Sequence, residues 1–227
     1  MESQINESTC HYIKALNEKD QAIAELTSKV VALEGQNALL EAKLSSAVSS
    51  VDKKLDALDS YERRDTLVFT GDALPPENAY EDPVKVISDT VSKELGINLD
   101  HRDISIAHRL GSKRPNTDRP IICKLVRRAT KSLIIHKCIT LRPKLFANEH
   151  LTPPRRAIFS KLLKLKRSSG LISQLHTKDG RIYLKLKDAS KKLSFSDEES
   201  LSDILAIESP FLLDCYRRVT PTGATSE

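Results

Sequence analysis

An apolar seven-residue repeat fills the first quarter of the chain and constrains its fold more than any other feature. The a positions step by seven from Leu16 and the d positions from Tyr12, and twelve of these fifteen residues are apolar or aromatic. No proline interrupts the segment. An apolar repeat of this kind is typical of a coiled coil, because its stripe must pack against another helix. The sequence therefore predicts a helical oligomer over residues 10–62.

The repeat also predicts how the helices pair. Isoleucine and valine at a with leucine at d favour a coiled coil of two helices. In a parallel pair Lys29 at g faces Glu34 at e of the partner helix, and Asn37 at a penalises shifted or antiparallel alignments. The alternative is a long helix that packs on its own domain. The residues expected to form the seam are Leu16, Ile23, Leu26, Val30, Leu33, Asn37, Leu40, Leu44, Val51 and Leu58.

Charge divides the chain into three parts. Residues 1–65 contain 8 Lys and Arg against 12 Asp and Glu, residues 66–195 contain 26 against 12, and residues 196–227 contain 2 against 7. The net charges are therefore −4, +14 and −5. A strongly basic block between acidic ends indicates that a polyanion binds the middle of the chain. The alternative is a lysine-rich surface that only keeps the protein in solution.

Cysteine usage and hydropathy argue against several classes of protein. The four cysteines, at positions 10, 123, 138 and 215, are far apart and include no CxxC pair, so they match neither a zinc pattern nor a disulfide framework. The sequence has neither a signal peptide nor an apolar stretch long enough to cross a membrane. We therefore expect no metal, no cofactor and no membrane association, in a reducing compartment.

The basic block begins with a predicted β-α-β-β-α-β unit over residues 63–150. Asp82 is a good N-cap before Pro83, and Gly96 is expected to end the first helix. This order of elements belongs to the ferredoxin-like sandwich and to the RNA-recognition fold, so the expected class is α+β. The predicted strands cover 66–71, 103–108, 120–126 and 145–148, and the predicted helices cover 83–95 and 129–138.

A second, smaller unit follows over residues 151–195, predicted as a nucleic-acid-binding domain of one helix and a hairpin. Thr152 is suited to cap the helix, and an Asp-Gly step further on is typical of a tight hairpin turn. Residues 196–227 are acidic and serine-rich. There we expect a largely disordered tail with one short helix near 201–207.

Cations cluster at the predicted junctions between elements of the basic block. Cations and hydrogen-bond donors bind the phosphates of a nucleic acid whatever its bases are. A groove lined by these cations would therefore bind single-stranded RNA or DNA with little sequence preference. Taken singly, each cation is a plain surface charge. The sheet itself is not expected to stack bases, because a phenylalanine at the position of Phe69 is more often buried in the core than exposed as a stacking surface. The candidate binding residues are Arg109, Lys113, Arg114, Arg119, Lys124, Arg127, Arg128, Arg155, Arg156, Lys161, Lys164, Arg167 and Arg181.

The sequence carries no recognisable catalytic motif. It contains no GxSxG, P-loop or HExxH motif and no close pair of cysteine and histidine. His108, in the segment DISIAHRLG, is expected to pack or hydrogen-bond at a strand end, since no nucleophile or metal ligand is recognisable beside it. We therefore expect a protein that is not an enzyme.

Five segments occur in an order that is typical of one protein family: YERRDTLVFTG, DISIAHRLG, RPIICKLVRR, NEHLTPPRR and TKDGRIYLKL. In this order the chain resembles, over roughly residues 15–190, the first-open-reading-frame protein of LINE-type (non-LTR) retrotransposons. The resemblance implies a coiled coil, a noncanonical RNA-recognition domain and a small C-terminal domain. It implies an RNA-binding nucleic-acid chaperone in cytoplasmic ribonucleoprotein particles or in the nucleus. The family's basic junctions fall on Arg127, Arg128, Arg155 and Arg156.

Two observations leave alternatives open. The last third of the chain is also similar to the baculovirus few-polyhedra (FP) protein, which implies a structural, capsid-associated role for the coiled coil. Members of the retrotransposon family tend to have tryptophan just before the hairpin, where this chain has Leu175, and known trimers compete with the dimer favoured by the seam. The leading hypothesis is a dimeric or trimeric single-stranded nucleic-acid-binding protein and chaperone. The alternative is a coiled-coil adaptor associated with nucleocapsids.

Overall fold

The computed structural model of the protein describes residues 2–112, 118–187 and 189–219. Side chains are described from Ile13 onward, except that of Ala15. Two of the predicted binding residues, Lys113 and Arg114, lie outside the described residues.

The chain divides into two compact units, Met1–Lys54 and Leu55–Glu227. Its class is α+β, as predicted, with a long N-terminal helix and two antiparallel sheets. None of the described helices is both long and apolar enough to cross a membrane.

The N-terminal helix α1 spans Glu2–Glu62. Every side chain described between Ile13 and Lys54 is exposed. The nine apolar residues of the predicted seam are between 51% exposed, at Val30, and 66% exposed, at Leu58. The apolar stripe of this segment is therefore exposed in the single chain, as the stripe of a helix that pairs with further copies would be.

The first sheet has four strands, β1 (Thr66–Thr70), β2 (Ile104–Arg109), β3 (Ile121–Leu125) and β4 (Phe146–Glu149). Their order in the sheet is β2-β3-β1-β4, and every neighbouring pair is antiparallel. Short 3-10 helices precede the first two strands at Arg63–Asp65 and His101–Asp103. The predicted β-α-β-β-α-β order is present. The elements are β1, α2 (Pro83–Leu95), β2, β3, α3 (Arg128–Leu141) and β4.

Local sequence explains the bounds of α2, and apolar spacing explains its packing. The Asp82 carboxylate accepts a hydrogen bond from the Val84 amide at 3.0 Å, and Gly96 ends the helix at a φ of +60°, which suits glycine. The helices cover one face of the sheet. Their shared core includes Leu67, Phe69, Ile87, Val91, Ile121, Cys123, Leu125 and Ile134.

The remaining elements form a second core. Its sheet consists of β5 (Ile172–Lys178), β6 (Arg181–Leu186) and β7 (Leu193–Phe195) in that order, and the helix α4 (Pro153–Ser169) packs on it. Asp179 and Gly180 join the first two strands with φ of +52° and +76°, the geometry of the predicted tight hairpin turn.

The prediction of a largely disordered tail after residue 196 is wrong for residues 198–218. Two helices, α5 (Glu198–Glu208) and α6 (Pro210–Arg218), cover this segment. Their apolar side chains complete the second core, including the fully buried Leu201, Leu205 and Leu212. The acidic composition concealed an apolar residue at every third or fourth position, which is enough to bury one face of a short helix.

Candidate nucleic-acid interface

One face of the four-stranded sheet is not covered by α2 and α3, and we call it the open face, although Thr66 and Ile122 on it are buried. The helices α2 and α3 cover the other face, where Phe69 is fully buried, so Phe69 belongs to the core as expected. Residues paired across antiparallel strands point to the same side of the sheet. The register therefore identifies the open-face side chains directly.

Three rows of side chains cross the open face. The middle row is His108, Ile122, Val68 and Asn148. The flanking rows are Ile106, Lys124 and Thr66 on one side, and Thr70 and Phe146 on the other. Ile106 is 54% exposed and Phe146 is 59% exposed. The open face thus combines exposed apolar and aromatic surface with an imidazole, an amide and a cation, a mixture that can stack and hydrogen-bond nucleobases.

Sequence periodicity missed two of these residues. A β-bulge between Ile104 and Ile106 shifts the alternation of β2, so Ile104 is buried and Ile106 is turned outward. Phe146 begins an edge strand of only four residues, too short for its facing to be read from alternation. His108 lies on a strand, as expected, and its side chain is exposed on the open face.

A cavity of about 300 Å³ adjoins the open face. Its wall includes Phe159 and Leu151, and Arg156 is the one Lys or Arg among the described residues around it. The cavity is lined by residues of the four-stranded sheet, α4 and β5, and it holds fewer of the candidate cations than the sequence predicts. The lining residues are Val68, Leu110, Pro120, Asn148, Glu149, His150, Leu151, Arg156, Phe159 and Thr177.

His150 contributes no positive charge to this cavity at neutral pH. Burial, together with the nearby Arg63 and Arg156 guanidinium groups, lowers its pKa to about 4. Arg63 Nη1 donates to His150 Nε2 at 2.7 Å, which requires a neutral ring nitrogen as acceptor. Arg156 is therefore the group that can attract a phosphate into the cavity.

The described candidate cations differ in how free they are to bind a ligand. Arg128 pairs with Asp65 at 3.1 Å and Lys161 with Glu198 at 3.2 Å, so both are partly engaged. Lys164 is half-buried and interacts within the chain. The candidates whose side chains form no hydrogen bond or ion pair with another described residue, and which are exposed, are Lys124, Arg127, Arg156, Arg167 and Arg181.

Arg109 and Arg119 are structural residues rather than free surface charges, which corrects the sequence-based prediction. The buried Arg109 guanidinium binds both Glu81 carboxylate oxygens, at 2.7 and 2.9 Å, and its remaining N–H groups donate to the carbonyl oxygens of Pro75 and Arg119. Arg119 binds Glu77 in the same bidentate way, at 2.8 and 2.9 Å. The hydrogen bond from Arg109 lowers the pKa of the Glu81 carboxyl group. Neither arginine can reach a phosphate without breaking its ion pair.

Arg155 is also removed from the candidate interface, because it is buried in a polar cluster at the end of α1. Its Nε donates to Asp56 Oδ2 at 2.7 Å, and its Nη1 donates to Ser60 Oγ at 2.6 Å and to the Gly180 carbonyl oxygen at 2.8 Å. Thr152 occupies the N-cap position of α4, but its hydroxyl donates to Asp56 instead of capping the helix. The cluster therefore fastens α4 and the hairpin turn to the last turns of α1.

A second buried pair, not anticipated from the sequence, lies beside this cluster. Lys131 Nζ donates to Glu149 Oε1 at 2.6 Å, and the side chains are 3% and 5% exposed. Glu149 also accepts from the hairpin-turn amides of Asp179, at 2.8 Å, and Gly180, at 3.3 Å. One carboxylate thus links the four-stranded sheet to the hairpin of the second sheet.

No site for a metal or a reactive thiol stands out in the described part of the chain. It brings no three His, Cys, Asp or Glu side chains together in a way that could hold a metal ion. Burial raises the pKa of the Cys123 thiol to about 12, so this group remains protonated and unreactive.

Comparison with models of known protein families and with curated protein sequences finds no match for the chain. Its function therefore has to be argued from its own residues.

Proposed function

We propose that the protein is a homo-oligomer that binds single-stranded RNA or DNA through the open sheet face and the adjoining cavity, and that it acts as a nucleic-acid chaperone without consuming nucleotide. The observation that carries the proposal is the setting of three free cations. Lys124 lies on the open face, Arg127 follows the same strand, and Arg156 lines the cavity. Cations beside exposed stacking surface suit a ligand of phosphates and bases.

The architecture supports a ferredoxin-like, RNA-recognition type of domain over residues 63–150. The β-α-β-β-α-β order and the strand order β2-β3-β1-β4 leave one sheet face for a ligand. Single strands bind on that face in RNA-recognition domains. This chain departs from them in burying Phe69, so the exposed Phe146 and His108 are the proposed stacking groups.

The resemblance to LINE-type first-open-reading-frame proteins favours a retrotransposon ribonucleoprotein as the setting. The exposed stripe of α1 supports association of parallel copies, each bringing one basic domain. Linked copies would hold one strand at high effective concentration, so a weak and sequence-independent contact becomes tight. The coiled-coil adaptor remains the second candidate, supported by the same stripe.

Phosphate contacts make the affinity for a single strand depend on the salt concentration. Replacing Lys124, Arg127 and Arg156 together with glutamine should weaken binding to all single-stranded sequences about equally. Because each lost phosphate contact on a single strand removes about 0.7 from the slope of log affinity against log salt, the slope should become shallower by about 2. Fluorescence anisotropy over a salt series measures both quantities.

The matched control for this variant removes the same charge from the helical side of the sheet. The triple substitution Lys85→Gln, Lys93→Gln and Arg102→Gln changes three exposed cations there and should leave the slope unchanged. A slope equally reduced by both variants would mean a general charge effect. An oligomer that binds no single strand at any salt would favour the adaptor.

The apolar spacing of α1 changes at Leu44, which refines the proposed seam. After this residue the a and d repeat continues with Ala47 and Lys54, whereas Val48 and Leu55 are apolar and 50% and 63% exposed. A seam that passes through Val48 and Leu55 instead of Ala47 and Lys54 has two consecutive spacings of four residues at Leu44. Such an insertion locally unwinds the supercoil of a coiled coil. It keeps every predicted seam residue. The seam from residue 37 then contains Asn37, Leu40, Leu44, Val48, Val51, Leu55 and Leu58.

A pair of substitutions tests this shift of register. Leu55→Lys should raise the dissociation constant of the oligomer by about 10-fold or more, because every copy loses a leucine that the proposed seam would bury. Lys54→Leu should have little effect, although it would stabilise the oligomer if Lys54 occupied a d position. Sedimentation equilibrium on the full chain gives both constants, and the opposite pattern would restore the unbroken repeat.

A further inference from the structure

The outer face of the second sheet is formed by different residues from the open face described above. On β6 the side chains of Ile182 and Leu184 are buried in the second core. Their neighbours along the strand point away from that core. The register places Tyr183 opposite His176, and Lys178 opposite Arg181, on this outer side.

Two aromatic rings stack on this face. The ring centroids of His176 and Tyr183 are 5.2 Å apart and the ring planes differ by 10°. His176 is exposed and Tyr183 is half-buried. Burial lowers the pKa of His176, and the charges of Lys192, Lys166 and Lys178 lower it further, while the Glu149 carboxylate, which lies outside this sheet, opposes them. The pair is therefore an uncharged stacked platform with ammonium groups around it.

The cations of this face have no acidic partners in the sheet. The strands β5, β6 and β7 contain no Asp or Glu, while Lys178, Arg181 and Lys185 all lie on the outer side. None of the three side chains forms a hydrogen bond or ion pair with another described residue. A surface that only confers solubility mixes both signs of charge, whereas a single sign around aromatic rings is complementary to a polyanion with stacking bases.

We infer that the outer face of the second sheet is a further binding surface for single-stranded nucleic acid, in which a base stacks on the His176–Tyr183 pair and Lys178, Arg181 and Lys185 contact the phosphates. The inference rests on the proposed function in its choice of ligand. It adds a second surface, which a chaperone could use to hold another stretch of strand.

The test uses the full chain and two fluorescent probes, an oligouridylate of about 12 nucleotides and an abasic strand of the same length. Tyr183→Leu keeps an apolar strand residue but removes the ring. It should weaken binding of the oligouridylate by about 5-fold or more and leave the abasic strand unchanged, because only bases stack. Arg181→Gln with Lys185→Gln should weaken both probes, whereas the control pair Lys85→Gln and Lys93→Gln should weaken neither.

Photocrosslinking of the unsubstituted protein to a bromouridine strand provides a readout that does not depend on the folding of a variant. Crosslinks located by mass spectrometry within 176–183 support the inference. If the oligouridylate binds but the crosslinks lie elsewhere and Tyr183→Leu binds like the wild type, the second surface is wrong and the proposed function stands. Failure to bind either probe overturns both.

Discussion

Replacing Lys131 with methionine is expected to lower the free energy of unfolding by about 3–5 kcal/mol. The methionine fills most of the volume of the lysine stem, so the loss comes from electrostatics. Without the ammonium group the Glu149 carboxylate, whose side chain is 5% exposed, becomes a buried charge without its cation. The Arg64 carbonyl oxygen also loses its hydrogen bond from Lys131 Nζ. Because Glu149 also binds the hairpin turn, both sheets lose support.

Urea unfolding followed by circular dichroism at a fixed protein concentration measures this effect. The matched control is Lys93→Met, which changes an exposed lysine on α2 and should shift stability by less than about 0.5 kcal/mol. In the double variant Lys131→Met, Glu149→Gln the residual buried charge is gone, so part of the lost stability should return. A loss below about 1 kcal/mol for Lys131→Met would show that water reaches the pair.

The position of most elements could be predicted because their signals are local. The N-cap at Asp82, the stop at Gly96 and the Asp-Gly turn act within a few residues of themselves. Alternation of apolar residues along β6 is sufficient to identify the face of that strand that is buried. Helix α5 was only partly anticipated, since its acidic residues dominated the composition of the tail.

The candidate site could not be predicted equally well, because the partner of a cation is set by tertiary contacts. Arg155 and Arg156 are neighbours in sequence, but Arg155 binds Asp56, 99 residues away, while Arg156 lines a cavity. Nothing in the local sequence distinguishes these roles. The same holds for Arg109, whose partner Glu81 lies 28 residues earlier. Charge clustering therefore overstated the number of free arginines.

Disrupting the seam of α1 is expected to have the largest effect on binding. The double substitution Leu26→Asp, Leu33→Asp places two carboxylates in consecutive d positions, where an oligomer would bury them without a counter-ion. The protein should become monomeric. Its apparent affinity for a long single strand should then fall by about 100-fold, because the copies no longer bind as a linked set.

The matched control is Val31→Asp with Leu39→Asp, at the b and c positions of the same repeat. These residues are 62% and 56% exposed, so the control adds the same charge and removes similar apolar surface outside the seam. It should stay oligomeric and keep its affinity for the long strand. Analytical ultracentrifugation and anisotropy with long and short strands compare the two variants.

A short nucleic-acid strand distinguishes the gain from linked copies from the affinity of a single basic domain. A strand of about 10 nucleotides can occupy only one basic domain, so the monomeric variant should bind it as tightly as the oligomer does. If the seam variant lost affinity for short and long strands alike, α1 itself would have to contact the nucleic acid. That result would contradict the proposal, in which α1 only joins the basic domains of several copies. It would also be unexpected on charge, because the N-terminal segment carries a net charge of −4.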